Sequence, residues 1–153
     1  ESVHEYFDMK PNQESPYMLL VAPVHERLRT DDSASDVAAF GIEKLNQIRS
    51  QIPAVTHVDN SARVQTVDCE RNPLLAKLLT AFEQRTGVPV LINTSFNVRS
   101  EPIVCTPQDA IRCFMMTDMD VLVLGHFVLL KSEQTSRPDE ASRSEHLQQF
   151  GLD

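Results

Sequence analysis

The sequence predicts an α/β fold built on a mixed twisted sheet with flanking helices. Three observations carry that prediction. Two well-signed amphipathic helices begin at Asn72-Pro73 and at Thr106-Pro107. Short apolar runs of strand character flank them, at 17–24, 88–92 and 121–130. A hairpin signal at Asp59-Asn60-Ser61 interrupts the alternation, which implies a mixed sheet rather than a purely parallel one.

Taken in order, residues 1–14 are mixed and polar, with Tyr6 and Phe7 as the main apolar anchor. Residues 17–24 read Y-M-L-L-V-A-P-V, a short run closed by Pro23 that fits a buried strand. Residues 27–35 are charged and small, which predicts a loop. Asp36 is an N-cap candidate for a helix carrying Val37, Phe40, Ile42, Leu45 and Ile48, with Gly41 weakening its interior. Residues 54–58 and 63–67 predict two short strands, joined through Asn60, a residue that tolerates positive φ. Asn72-Pro73 then opens a helix whose Leu74, Leu75, Leu78, Leu79 and Phe82 form one stripe, and Gly87 closes it at C′. Residues 88–92 predict a strand feeding a polar loop. Thr106 at N-cap, Pro107 at N1 and Asp109 at N3 resemble a capping box, with Ala110, Ile111, Phe114 and Met115 on the apolar side. Residues 121–124 and 127–130 are strand-like around Gly125-His126. After Lys131 the composition turns polar, with Leu147, Phe150 and Leu152 as the large apolar residues. The domain is therefore expected over 1–131, followed by a mobile or weakly docked tail over 132–153.

A chain of 153 residues, 41% hydrophobic and 24% charged, fits one soluble globular domain. No apolar run is long enough to span a membrane. The formal charge of −8 argues against a dedicated nucleic-acid binder, whose face would be basic. Cys69, Cys105 and Cys113 are odd in number and form no C-x-x-C pair, so a disulfide scaffold or zinc site is not indicated and a cytoplasmic home is expected. His57-x-Asp59 has the look of half a metal site, but two residues do not make one. Cys105 has no nearby His in sequence to activate it and reads as a structural thiol. The opening Glu1-Ser2-Val3-His4-Glu5 has neither an initiator Met nor a signal peptide and reads as a piece of a longer polypeptide.

The most informative stretch is V-L-I-N-T-S-F-N-V-R-S-E-P, from Val90 to Pro102. An apolar run stops abruptly, and Asn93, Thr94, Ser95, Asn97 and Arg99 follow with hydrogen-bonding side chains. At the end of a strand such a cluster suits a phosphate or a small planar amide. An ordinary polar loop with Asx and Ser/Thr turns fits the same composition.

Four motifs fall in one order: Ser15-Pro16-Tyr17-Met18, Ile52-Pro53-Ala54-Val55-Thr56-His57-Val58-Asp59, Ser61-Ala62-Arg63-Val64-Gln65-Thr66-Val67, and N-T-S-F-N-V-R-S-E-P-I-V-C-T-P from Asn93 to Pro107. Together, from about Tyr6 to Lys131, they closely resemble the C-terminal domain of the O-carbamoyltransferases, which include nodulation-factor and antibiotic-tailoring enzymes. The resemblance implies a YrdC-like fold with a nucleotide cleft. It also implies ATP and carbamoyl phosphate as substrates for carbamoyl-adenylate. A separate N-terminal domain, which holds the family's metal, then passes the carbamoyl group to a hydroxyl. No metal is implied for this segment. Ser95-Phe96-Asn97 matches the Ser-x-Asn element of YrdC-like proteins. Their Lys/Arg element is expected upstream of Glu1. Asn60 and Ser100 stand where the family usually has Gly.

The chemistry can be stated without the family. Moving a carbamoyl group from one phosphate to another brings anions together, and fixed cations and donors must offset the repulsion. Arg63 is the main cationic candidate, since Arg is always charged and binds bidentately; a solvated surface Arg is the plain alternative. Ser95 would donate to a phosphate or carbamoyl oxygen. Asn93 and Asn97 would orient the amide or shape the loop. Thr94 fits the core as well as the ligand, and Arg99 either binds ligand or pairs with Glu101. Two other readings stay open: a YrdC-like module in tRNA threonylcarbamoylation, and a non-catalytic interaction domain. The expected partners are nucleotide, carbamoyl phosphate and the N-terminal domain, with a homodimer left open and neither membrane nor nucleic acid expected.

Overall fold

Antiparallel pairing organises each half of the chain. The computed structural model describes residues 2–30, 41, 47–98, 101–135 and 138–148. It divides into two units, Glu1–Ile92 and Asn93–Asp153.

In the first unit, helix α1 (Val3–Tyr6) leads to Phe7, which bridges Val24. Strand β1 (Leu20–Pro23) pairs with β2 (Ser61–Val64), with Leu20 opposite Val64, Val21 opposite Arg63 and Ala22 opposite Ala62. The two-residue period sends Ala22, Ala62 and Val64 inward, where they join Phe7, Met9, Val24, Leu28 and Ile52 in one core. Val21 and Arg63 are left on the exposed face. The apolar run at 17–24 is thus a strand for its second half only, with Tyr17 and Leu19 exposed.

The strand expected over 54–58 does not form. Pro53 starts a single 3-10 turn, Pro53–Val55, and the Thr56 hydroxyl donates back to the Ile52 carbonyl. A tight turn follows, with Asn60 at φ 62°. β2 therefore finds its partner far back in the chain, at β1. Helix α2 (Pro73–Thr86) forms as its signals require: the Asn72 side chain accepts from Leu75 N–H, and Gly87 closes the end at φ 77°. Only part of its stripe is covered. Leu75, Leu79 and Phe82 are half-buried, whereas Leu74 and Leu78 are 79% and 54% exposed. Residues 88–92 do not form a strand either. Val88 and Val90 pack side chains on the core, but the segment joins no ladder among the described residues. The helix expected from Asp36 falls mostly on 31–40 and 42–46, outside the described residues.

In the second unit, α3 (Pro107–Met116) packs Ala110 and Phe114 against Leu122 of the β3–β4 hairpin (Val121–Leu124 and Phe127–Leu130), with Phe96, Val104, Met119 and Leu129 around them. The capping box is complete, and Arg112 bonds the same Asp109. Gly125 supplies a φ of 59° in the two-residue loop. Lys131 then closes the other end of α3, donating to the Phe114 and Thr117 carbonyls with its ammonium 4.1 Å from the Phe114 ring centroid. The polar segment beyond Lys131 carries a helix that its composition does not announce, α4 (Glu140–Gln148). Arg143 donates to the Met116 carbonyl and pairs with Asp118.

The architecture is α/β. Among the described residues its strands form two separate two-stranded antiparallel sheets, without the parallel pairing of a mixed sheet. No described helix is long and apolar enough to cross a membrane.

Candidate functional site

The polar loop is built on an anchored Phe96. Its ring packs on the second unit's core, and its carbonyl accepts from Val104 N–H at 2.9 Å. On one side of it, Asn93, Thr94 and Ser95 are exposed, and the Thr94 hydroxyl donates to the Ser95 carbonyl at 3.0 Å. Thr94 is thus at the surface and not in the core. On the other side, Asn97 turns inward and donates to the carbonyls of Val98 and Glu101 at 3.0 and 2.9 Å. Asn97 accordingly shapes the loop. The Glu101 N–H donates to Val98 O, and the Val98 N–H donates to Glu101 Oε2 at 3.1 Å. Arg99 and Ser100 lie outside the described residues.

Glu101 is the residue that the motif reading underrates. It is buried, it closes the turn through both backbone and side chain, and its Oε1 lies 3.4 Å from His146 Nε2 on α4. The signal available in sequence was an acidic residue directly after a polar loop, next to Pro102. Behind it lies Cys113, also buried. Burial, then the charge of Glu101 and a hydrogen bond to it, push that thiol up to about 11.

In the first unit, Arg63 stands exposed on β2. Arg27, Arg29, Arg71 and Arg112 each spend their guanidinium on the protein itself, on Glu5, Val24 O, Glu14 and Asp109. Among the described residues Arg63 makes no such bond. It is an unspent cation on a strand, which suits an anion. His57 and Asp59 turn out to serve the neighbouring turn. Both converge on the Ser61 hydroxyl, Nδ1 at 2.9 Å and Oδ1 at 2.6 Å. The hydrogen bonds from Ser61 hold the Asp59 carboxyl below its ordinary value. No group of three or more metal-ligating side chains is found among the described residues. Cys105 is exposed, so the structural, buried thiol is Cys113 instead.

A family model described as carbamoyltransferase C-terminus matches residues 1–131. The chain belongs to that family. This bears out the resemblance read from the four motifs, and it covers both Arg63 and the Asn93–Glu101 loop. An uncharacterized protein of Synechocystis sp. is 56% identical over 153 residues, all of this chain and 24% of that protein. The nodulation protein NolNO of Sinorhizobium fredii is 38% identical over 144 residues, 94% of this chain and 18% of its own. The 3'-hydroxymethylcephem-O-carbamoyltransferase of Amycolatopsis lactamdurans is 48% identical over 76 residues, half of this chain and 15% of its own. The chain thus spans less than a quarter of the length of these relatives.

Proposed function

We propose that this chain is the carbamoyl-adenylate-forming part of an O-carbamoyltransferase, using ATP and carbamoyl phosphate. The observation that carries the reading is the family match across residues that include an unspent Arg63 and an exposed Ser95 on a braced loop. The balance is carbamoyl phosphate, ATP and one water giving carbamoyl-adenylate, inorganic phosphate and pyrophosphate. Every partner is anionic, so the barrier is largely one of charge. In this reading Arg63 offsets phosphate charge, the Ser95 hydroxyl donates to a phosphate or carbamoyl oxygen, and Asn93 orients the amide head. Arg99 is a second candidate cation. Asn97 acts one step back, holding the loop. The carbamoyl group then passes to a hydroxyl in another part of a longer polypeptide; the Amycolatopsis relative's name specifies a hydroxymethyl acceptor for that protein.

The test uses the full-length protein with ATP and carbamoyl phosphate, following pyrophosphate release and trapping the adenylate. Arg63→Ala and Ser95→Ala should each lower the rate on the order of 10²-fold, the usual loss for one preorganised electrostatic donor. His57→Ala and Cys105→Ala should retain most of it. A dead Cys105→Ala beside an active Arg63→Ala would replace the electrostatic reading with covalent catalysis.

A further inference from the structure

We propose that helix α4 is a clasp for the candidate ligand loop, in which Glu101 and His146 act as a pair of positioning residues. This rests on the functional reading above for its ligand, but its geometry stands apart from it. The loop from Phe96 to Glu101 is fixed at Phe96 by packing. Its other end is fixed by Glu101, whose carboxylate holds the Val98 N–H through Oε2. That leaves Oε1 facing His146 Nε2 at 3.4 Å, with both side chains nearly covered. At that separation the contact is a close polar pairing rather than a well-aligned hydrogen bond. A buried carboxylate needs such a partner: left alone it would draw the turn open toward water.

Among the described residues, other charged and titratable groups do not replace His146. Cys113 faces Glu101 from α3 as a neutral thiol. Asp109 and Arg112, which line the same cleft of ≈ 450 Å³ with Glu101, Ile103, Cys105 and His146, are engaged with Thr106 and with each other. Arg143, on α4 itself, pairs with Asp118 and seats the helix one turn earlier. Among the described residues, the segment after Lys131 thus meets the loop at Glu101, the residue on which the Val98 turn closes.

The test compares the full-length wild type with His146→Ala, Glu101→Gln and the double variant; Glu101→Gln keeps an acceptor for Val98 N–H while removing the charge. Two readouts are taken: hydrogen exchange of the 94–101 amides, and KM against kcat for carbamoyl phosphate. Each single variant should speed loop exchange about tenfold and raise KM about tenfold, with kcat within about threefold of wild type. The double variant should be no worse than the worse single one, because the two act as a pair. Unchanged loop exchange in variants that keep their helical circular dichroism overturns the clasp. Fully additive effects, or a loss confined to kcat, overturn the pairing. A wild type that makes no adenylate overturns the functional reading, and the exchange arm still decides the clasp.

Discussion

Cys113 gives the most direct quantitative test of packing in the second unit. The side chain is fully covered, and its thiol is pushed from an ordinary 9.0 to about 11 by burial and by Glu101. The fold thus favours the protonated thiol. As pH rises, the unfolded chain loses this proton first, so between about pH 9 and 11 it binds fewer protons than the native state. Stability from this source is complete below that window and falls as pH climbs through it. Two pH units correspond to about 3 kcal/mol, a sizeable part of a typical domain's stability. The assay is urea unfolding of wild type and Cys113→Ala from pH 8 to pH 11. The variant cannot titrate at this position, so whatever stability separates the two at pH 8 should shift by about 2 kcal/mol in the variant's favour by pH 11. A thiol reagent at pH 8 supplies an independent reading. Cys69 and Cys105 are exposed and should react at once, with Cys113 reacting only as fast as the fold opens. A third thiol that reacts promptly in the folded protein, or a stability gap that ignores pH, would refute the reasoning.

Three further outcomes can be checked by thermal or chemical unfolding. Thr106→Ala should cost about 1 kcal/mol through loss of the N-cap. The hydrogen bond from Thr106 also holds the Asp109 carboxyl below its ordinary value, so its contribution is present above about pH 4 and disappears as pH falls through that lowered value. Asn60→Gly should be neutral or slightly stabilising and Asn60→Val should cost about 1–2 kcal/mol, since a φ of 62° suits Gly and strains a β-branched residue. Lys131→Met should cost about 2–3 kcal/mol, because two carbonyls at the end of α3 lose a charged donor and the Phe114 ring loses its cation.

What could be read from sequence was local. The Asn72–Gly87 and Thr106–Met116 helices are specified by caps and stripes within a few residues, and both formed with the caps expected. The hairpin at Gly125 and the positive φ at Asn60 were legible for the same reason. Pairing between distant segments was not. A β-like composition at 54–58 lost to Pro53 and a turn locked by Ser61, because β2 had a better partner about forty positions upstream. Val88 and Val90 look like strand residues and are used for side-chain packing instead. Helix α4 has weak apolar periodicity and depends on Arg143 and His146, partners that no local pattern reveals. At the site, the motif exposed the loop and the chemistry of its residues. It could not separate Asn97, which turns inward to hold backbone, from Ser95, which points outward two positions earlier.

The β3–β4 ribbon has a practical consequence for anyone producing this chain. Val121, Val123 and Val128 share one face and are 47%, 61% and 62% exposed, on a sheet of two strands among the described residues. Among the described residues no further strand joins either edge of the ribbon, so its outer backbone groups can meet a neighbouring strand, and the valines add an apolar surface for it to settle on. Expressed in isolation at high concentration, the chain will tend toward inclusion bodies by strand addition between copies. Val123 and Val128 sit directly across from each other. Replacing them with Lys and Glu would keep a favourable cross-strand pair, leave Leu122 in the core, and place charge where a second copy would have to dock.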